Sequence, residues 1–167
     1  GPLHACDHQG CGWRVVAGQA LRPHPRHAQP KYRRLATFVA GVDPTPEKCE
    51  QLAALKKQKV PIYPTLDAFY RKAKRTPDLM VISSPIQMHA PQSNEALEHG
   101  SHVLCEKPMC ATVQEANALR DARDRAGKFV AIGYQRSFAP GTIALHRDVR
   151  AGLFGRPRRL RAIVLWP

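Results

Sequence analysis

At 167 residues the chain has room for one full domain core and part of a second. Its 26 Lys and Arg against 13 Asp and Glu raise anionic partners, but the cations gather in the head (Arg14, Arg22, Arg26, Lys31, Arg33, Arg34) and the tail (Arg147, Arg150, Arg156, Arg158, Arg159, Arg161); no basic helical face is interleaved with aromatics, so nucleic-acid binding is not expected. The five cysteines lack a disulfide-type spacing and fit a reducing compartment, and no run approaches the roughly 18 apolar residues of a membrane span, which together point to a cytoplasmic protein without a membrane partner.

Residues 1–34 read as an irregular or altered head, rich in His and Pro ("RPHPRHAQP") with one short apolar piece, "WRVVAG". From Leu35 the pattern becomes regular. "LATFVAGVD" is a strand, followed by Pro-Thr-Pro and then by "EKCEQLAALKKQ", whose Leu52 and Leu55 sit at helical spacing. "VPIYP" is a short strand, and "TLDAFYRKAKR" a helix with Thr65 as N-cap. "PDLMVISSP" has the continuous apolar run of a buried parallel strand. "HAPQSNEALEHG" is a helix closed by Gly100, and "SHVLCEKP" a further strand. In "TVQEANALRDARDRAG", Thr112 and Glu115 form a capping box and Gly127 ends the helix. "KFVAIGYQRSF" is again a strand. Alternation of this kind implies an α/β fold, doubly wound and mainly parallel, with right-handed crossovers.

Ligands of such sheets bind beyond the carboxyl ends of the strands. Those ends read Asp43, then Ser83-Ser84-Pro85, then Glu106-Lys107-Pro108, then Tyr134-Gln135-Arg136. Any one of them could be polar only because loops are polar; four in succession point to a site. Asp43 can accept from a ribose diol and would repel a 2′-phosphate, or it can simply cap the turn before Pro44. Lys107, beside Glu106 and Pro108, can donate to a substrate hydroxyl or a nicotinamide ribose; its plainer role is an exposed ion-paired lysine. His89 falls near the start of the next helix, facing the same edge, or is an ordinary surface histidine.

A phosphate-binding glycine loop must follow a strand and open a helix. Gly10 and Gly12 come before the apolar run of the head, which is the wrong order, so no intact phosphate loop is expected. Cys6, Cys11, His24 and His27 approach zinc-finger spacing, but Pro23 and Pro25 would break the helix that presents the histidines. No metal site is expected.

The segment "DLMVISSPIQMHAPQSNEALEHGSHVLCEKPMCATVQEANAL", with "GVD" before it and "IGYQRSF" after it, resembles the glucose–fructose oxidoreductase / inositol dehydrogenase / rhizopine catabolism (Gfo/Idh/MocA) family of NAD(P)-dependent oxidoreductases. The likeness runs from about Leu35 to Pro167. It implies NAD as cofactor, with NADP possible, and a sugar or polyol whose hydroxyl exchanges hydride with the nicotinamide. By the same likeness Asp43 would hold the adenosine ribose, and Ser84, Pro85 and His89 would border the dinucleotide. Glu106 and Lys107 would flank the nicotinamide, Lys107 as the catalytic lysine, while Gln135 and Arg136 would line the cofactor and substrate cleft. The dinucleotide domain would span 35–152. Residues 153–167 would open a truncated α+β domain that in the family supplies substrate contacts, a catalytic aspartate and histidine, and much of a homo-oligomer interface. Impaired activity is therefore the expectation for the chain as given. The competing expectation is a non-catalytic, degenerate dinucleotide fold acting as a binding module.

Overall fold

The computed structural model describes residues 13–17, 36–49, 52–156, 158–159, 161 and 163. They fall into two compact units, Gly1–Gly133 and Tyr134–Pro167.

The first unit is a parallel sheet of six strands. In chain order its elements are β1 (Trp13–Ala17), β2 (Ala36–Val42), α1 (Leu52–Lys57), β3 (Ile62–Tyr63), α2 (Leu66–Lys72), β4 (Leu79–Ile82), α3 (His89–Glu98), β5 (His102–Cys105), α4 (Val113–Ala126) and β6 (Val130–Ile132). The strands lie in the order β3-β2-β1-β4-β5-β6. From β1 the chain winds outward to β2 and β3, then returns to the far side of β1 and winds outward again through β4, β5 and β6. The reversal between β1 and β4 is the topological switch point of a dinucleotide fold.

The strands and helices follow local chemistry. β4 and β5 alternate inward Met80, Ile82, Val103 and Cys105, all nearly inaccessible, with less buried neighbours. Thr65 Oγ1 accepts the Ala68 amide 3.1 Å away and starts α2. The capping box of α4 is complete: Thr112 Oγ1 accepts from Glu115 N at 3.2 Å, and Glu115 Oε2 accepts from Thr112 N at 2.9 Å. Gly127 ends that helix at φ 62°, in the left-handed region. Leu97 of α3 and Leu119 and Ala122 of α4 press into the same core as Val103 and Cys105. Near the amino ends of β4 and β5, Ser101 Oγ donates to the Pro77 carbonyl at 2.8 Å.

Two expectations change. Residues 13–17, within the head read as irregular, form β1, paired with β2 on one side and β4 on the other. The β-branched pair Val15-Val16 suits a strand held between two others, and without it the two halves of the sheet would not meet. The compact unit that bears the sheet ends at Gly133, one residue past the edge strand β6, while the expected dinucleotide domain of 35–152 would also take in residues of the second unit. The strand expected from "KFVAIGYQRSF" accordingly stops at Ile132, and Gln135–Phe138 is a 3-10 turn.

In the second unit that turn leads into α5 (Pro140–Arg150), with Pro140 in its first turn. None of its residues is buried. The strand expected within 153–167 falls mostly outside the described residues.

Candidate functional site at the carboxyl edge of the sheet

Because all the strand pairs are parallel, their carboxyl ends share one edge. Three residues one step past the strands are held there by continuing ladder bonds. Asp43 N donates to Tyr63 O at 2.9 Å, Glu106 N to Ile82 O at 2.8 Å, and Gly133 N to Cys105 O at 2.8 Å. Asp43, the Ser83–Pro85 turn and the Glu106–Pro108 turn, named from the sequence, therefore stand on the same edge of the first unit. Gln135 and Arg136 belong to the second unit, exposed in its 3-10 turn.

Asp43 Oδ1 accepts the Thr45 amide at 2.8 Å and the Thr45 hydroxyl at 3.4 Å. The turn-forming use of Asp43 is thus present, and the side chain stays partly exposed. Ser84 Oγ donates to Gln92 Oε1 at 2.7 Å, while Pro85 is exposed. Gln92 escaped notice in the sequence; its signal was the spacing of one helical turn after His89.

His89 is the first residue of α3 and is 2% exposed, not a surface histidine. Its Nδ1 lies 2.7 Å from the Pro108 carbonyl oxygen and its Nε2 lies 2.8 Å from the Ser84 carbonyl oxygen. Both turns of the edge therefore end on one ring.

Glu106, Lys107 and Pro108 are exposed, and the Lys107–Pro108 peptide bond is cis. The Lys107 amide donates to Glu106 Oε2 at 3.0 Å, so the carboxylate folds back over its own turn. The same oxygen explains Gly133, which the sequence reading passed over. A Cβ there would stand 3.3 Å from Glu106 Oε2, 3.4 Å from its Cδ and 3.5 Å from the Cys105 carbonyl oxygen. The hydrogen at that position leaves the carboxylate its place. Beneath the turn, burial pushes the Cys105 thiol up to about 11, which keeps it a neutral packing group.

These groups suit a dinucleotide. A carboxylate at the end of β2 can accept from a diol, a hydroxyl and two turns of backbone stand at the switch point, and an exposed ammonium stands beyond β5. The residues able to receive the pyrophosphate would follow β1, starting at Gly18, and lie outside the described residues. Gly10 and Gly12 also lie outside them, and so do Cys6, Cys11, His24 and His27. Among the described residues no group of three or more His, Cys, Asp or Glu could hold a metal ion. Nor is any helix among them long and apolar enough to cross a membrane.

Comparison with known proteins agrees with this architecture. Residues 14–134 match the profile of the Gfo/Idh/MocA oxidoreductase family, described as having an NAD-binding Rossmann fold. Inositol 2-dehydrogenase 4 of Saccharopolyspora erythraea is 31% identical over 140 residues, covering 78% of this chain and 39% of that protein. D-glucoside 3-dehydrogenase of Escherichia coli is 35% identical over 79 residues, 47% of this chain and 22% of that one. Among solved structures, the WlbA dehydrogenase of Chromobacterium violaceum, in complex with NADH and UDP-GlcNAcA, superposes with a TM-score of 0.73 at 24% identity. That match covers 87% of this chain and 41% of the other, and at such identity it speaks to the fold. The chain thus spans less than half the length of these relatives. With the profile matched across the sheet and the switch-point topology in place, the chain belongs to the Gfo/Idh/MocA family of oxidoreductases with an NAD-binding Rossmann fold.

Proposed function

We propose that this chain forms the nicotinamide-dinucleotide-binding part of an oxidoreductase that exchanges hydride with a ring hydroxyl of a sugar or polyol. The observation that supports this most is the joint placement of Asp43, Ser84 and Lys107 on the carboxyl edge of a sheet whose strand order reverses between β1 and β4. The inositol and D-glucoside dehydrogenases among its relatives support that substrate class.

In this reading Asp43 accepts from the adenosine ribose, and its carboxylate disfavours a 2′-phosphate, so NAD is preferred over NADP. Ser84 and Pro85 border the dinucleotide. When bound, NAD supplies the acceptor for the hydride. Lys107 donates from its ammonium to the reacting hydroxyl oxygen and to the nicotinamide ribose, which orients the alcohol and favours loss of its proton. A protonated lysine cannot take that proton, so a separate base receives it; by family likeness that base belongs to a second, substrate-binding domain. Glu106 holds the backbone of Lys107 and sets where the ammonium stem begins. By family likeness Gln135 and Arg136 contact cofactor and substrate, and self-association belongs to the whole protein.

The test is a screen of inositols, glucosides and uronic acids with NAD, following nicotinamide absorbance, for the native chain and for Lys107→Ala. Because the base belongs to a second domain, at most slow polyol-dependent reduction of NAD is expected from the chain as given, lost in the variant, together with NADH binding that Lys107→Ala weakens. NADH binding that Lys107→Ala leaves unchanged, with no turnover on any of them, would favour a non-catalytic binding module.

A further inference from the structure

We propose that His89 is a positioning residue for Lys107: its buried ring ties the Ser83–Pro85 turn to the Glu106–Pro108 turn, so that a dinucleotide meets both as one rigid surface. The inference rests on the cofactor reading above and goes beyond the bordering role that family likeness gives His89.

The ladder explains why a tie is needed there. Glu106 N to Ile82 O is the backbone bond that continues the β4–β5 ladder past the strands. Beyond it the two turns present carbonyl oxygens, Ser84 O and Pro108 O, and two acceptors cannot bond to each other. A donor between them is required. The imidazole fills that gap, with Nε2 at 2.8 Å from one oxygen and Nδ1 at 2.7 Å from the other. Both contacts are donations together only in the doubly protonated ring; the neutral ring donates to one of the two oxygens and turns a lone pair toward the other. Neither nitrogen is left over for a ligand.

The mount is rigid. His89 starts α3, whose Ala90, Ser93, Ala96 and Leu97 are buried, so the ring is fixed relative to the core. Gln92, one turn later, accepts the Ser84 hydroxyl and holds the same turn a second time. Lys107 itself is exposed and lies directly before Pro108, the residue the ring holds. Loss of the tie would let the lysine's backbone drift with its turn, and misplacement of a binding group is costly even when the group is chemically intact.

Two measurements separate this from the reading it rests on. The first is amide hydrogen exchange, without nucleotide, on the native chain, His89→Asn and His89→Gln, with Leu119→Ala as a general core-loosening control. An asparagine amide nitrogen falls near the position of Nδ1, and a glutamine amide nitrogen near that of Nε2. His89→Asn should therefore speed exchange about tenfold over Ser83–Met88 and spare Glu106–Cys110, His89→Gln should do the reverse, and α4 should be unchanged in both. Unchanged exchange in both turns, or loosening spread over α4 as in the control, would overturn the tie.

The second is NADH affinity in a cycle of His89→Gln, the variant that frees the Lys107 turn, with Lys107→Ala and the double variant. A loss of about tenfold for His89→Gln that shrinks below about twofold when Lys107 is already absent is expected of a residue acting through Lys107. Equal losses in both backgrounds would overturn the positioning role. If the native chain failed to bind NADH, the cofactor reading and the positioning role would fall together, and the exchange data would still decide whether the ring ties the turns.

Discussion

Replacing Gly133 by alanine asks whether the turn that carries Lys107 depends on the space beside it. The new Cβ would stand 3.3 Å from Glu106 Oε2, the oxygen that accepts the Lys107 amide at 3.0 Å. Contact that short requires the carboxylate to move by a few tenths of an ångström, and the 3.0 Å bond is what yields. An exposed hydrogen bond of this kind contributes about 0.5–1 kcal/mol, which corresponds to a roughly two- to fivefold weaker Kd for NADH if binding needs the turn as it stands. The fold itself should hardly notice. Gly133 has no positive φ, so alanine there also stiffens the unfolded chain, worth about 0.4–1 kcal/mol in the opposite direction. The assay is NADH titration and thermal unfolding of Gly133→Ala, alone and combined with Glu106→Ala. The expected result is weaker binding at nearly unchanged Tm, with no further loss when Glu106 has already been removed. An equal loss from Gly133→Ala in both backgrounds would refute the reasoning, because the displaced carboxylate could not then be its cause.

Other consequences follow from the same packing. Thr112→Ala removes the side-chain half of the α4 capping box and should cost about 1 kcal/mol, a drop of a few degrees in Tm that Thr112→Asp largely restores; no drop would mean that α4 is started by something else. His102 Nδ1 accepts the Phe129 amide at 3.0 Å, and burial, followed by the nearby Lys128, holds its pKa below the usual 6.5 against the pull of Asp78. A lowered folded-state value means that the unfolded chain binds the proton first, so this contribution is complete above about 6.5 and is lost as pH falls through the folded value. Tm of the native chain should therefore fall more steeply on acidification than that of His102→Gln, and parallel curves would contradict the assignment. Cys105 should resist thiol reagents near neutral pH while the partly exposed Cys49 and Cys110 react, as read by mass spectrometry of labelled peptides; early labelling of Cys105 in the folded chain would contradict its burial.

Where one residue type does one local job, the sequence was a good guide. Thr65, Thr112, Glu115 and Gly127 ended or began helices as their chemistry requires, and continuous apolar runs marked β4 and β5. The edge with Asp43, Ser84 and Lys107 was legible because parallel strands necessarily place their carboxyl ends together. β1 was hidden by its setting: five residues inside a Pro- and His-rich stretch carry little periodicity, and only pairing with β2 and β4 distinguishes them. The contacts of His89 were out of reach for a different reason. Its partners are backbone carbonyls at Ser84 and Pro108, and residue type says nothing about which carbonyls a turn will present. Gly133 was missed likewise, since its need for space is set by Glu106 on a neighbouring strand end. α5 went unread although its sequence is more one-sided than that of α3 or α4: "KFVAIGYQRSF" was carried on as a strand, and Pro140 was passed over as a residue of a first helical turn.

The central claim is that the carboxyl edge of this sheet binds a nicotinamide dinucleotide with Lys107 at its reactive end. Calorimetric titration of the native chain and of Lys107→Ala with NADH tests it most directly. Saturable binding to the native chain, weakened about tenfold in the variant, is the expected result. Equal affinity in the two proteins, or no binding to either, would contradict it.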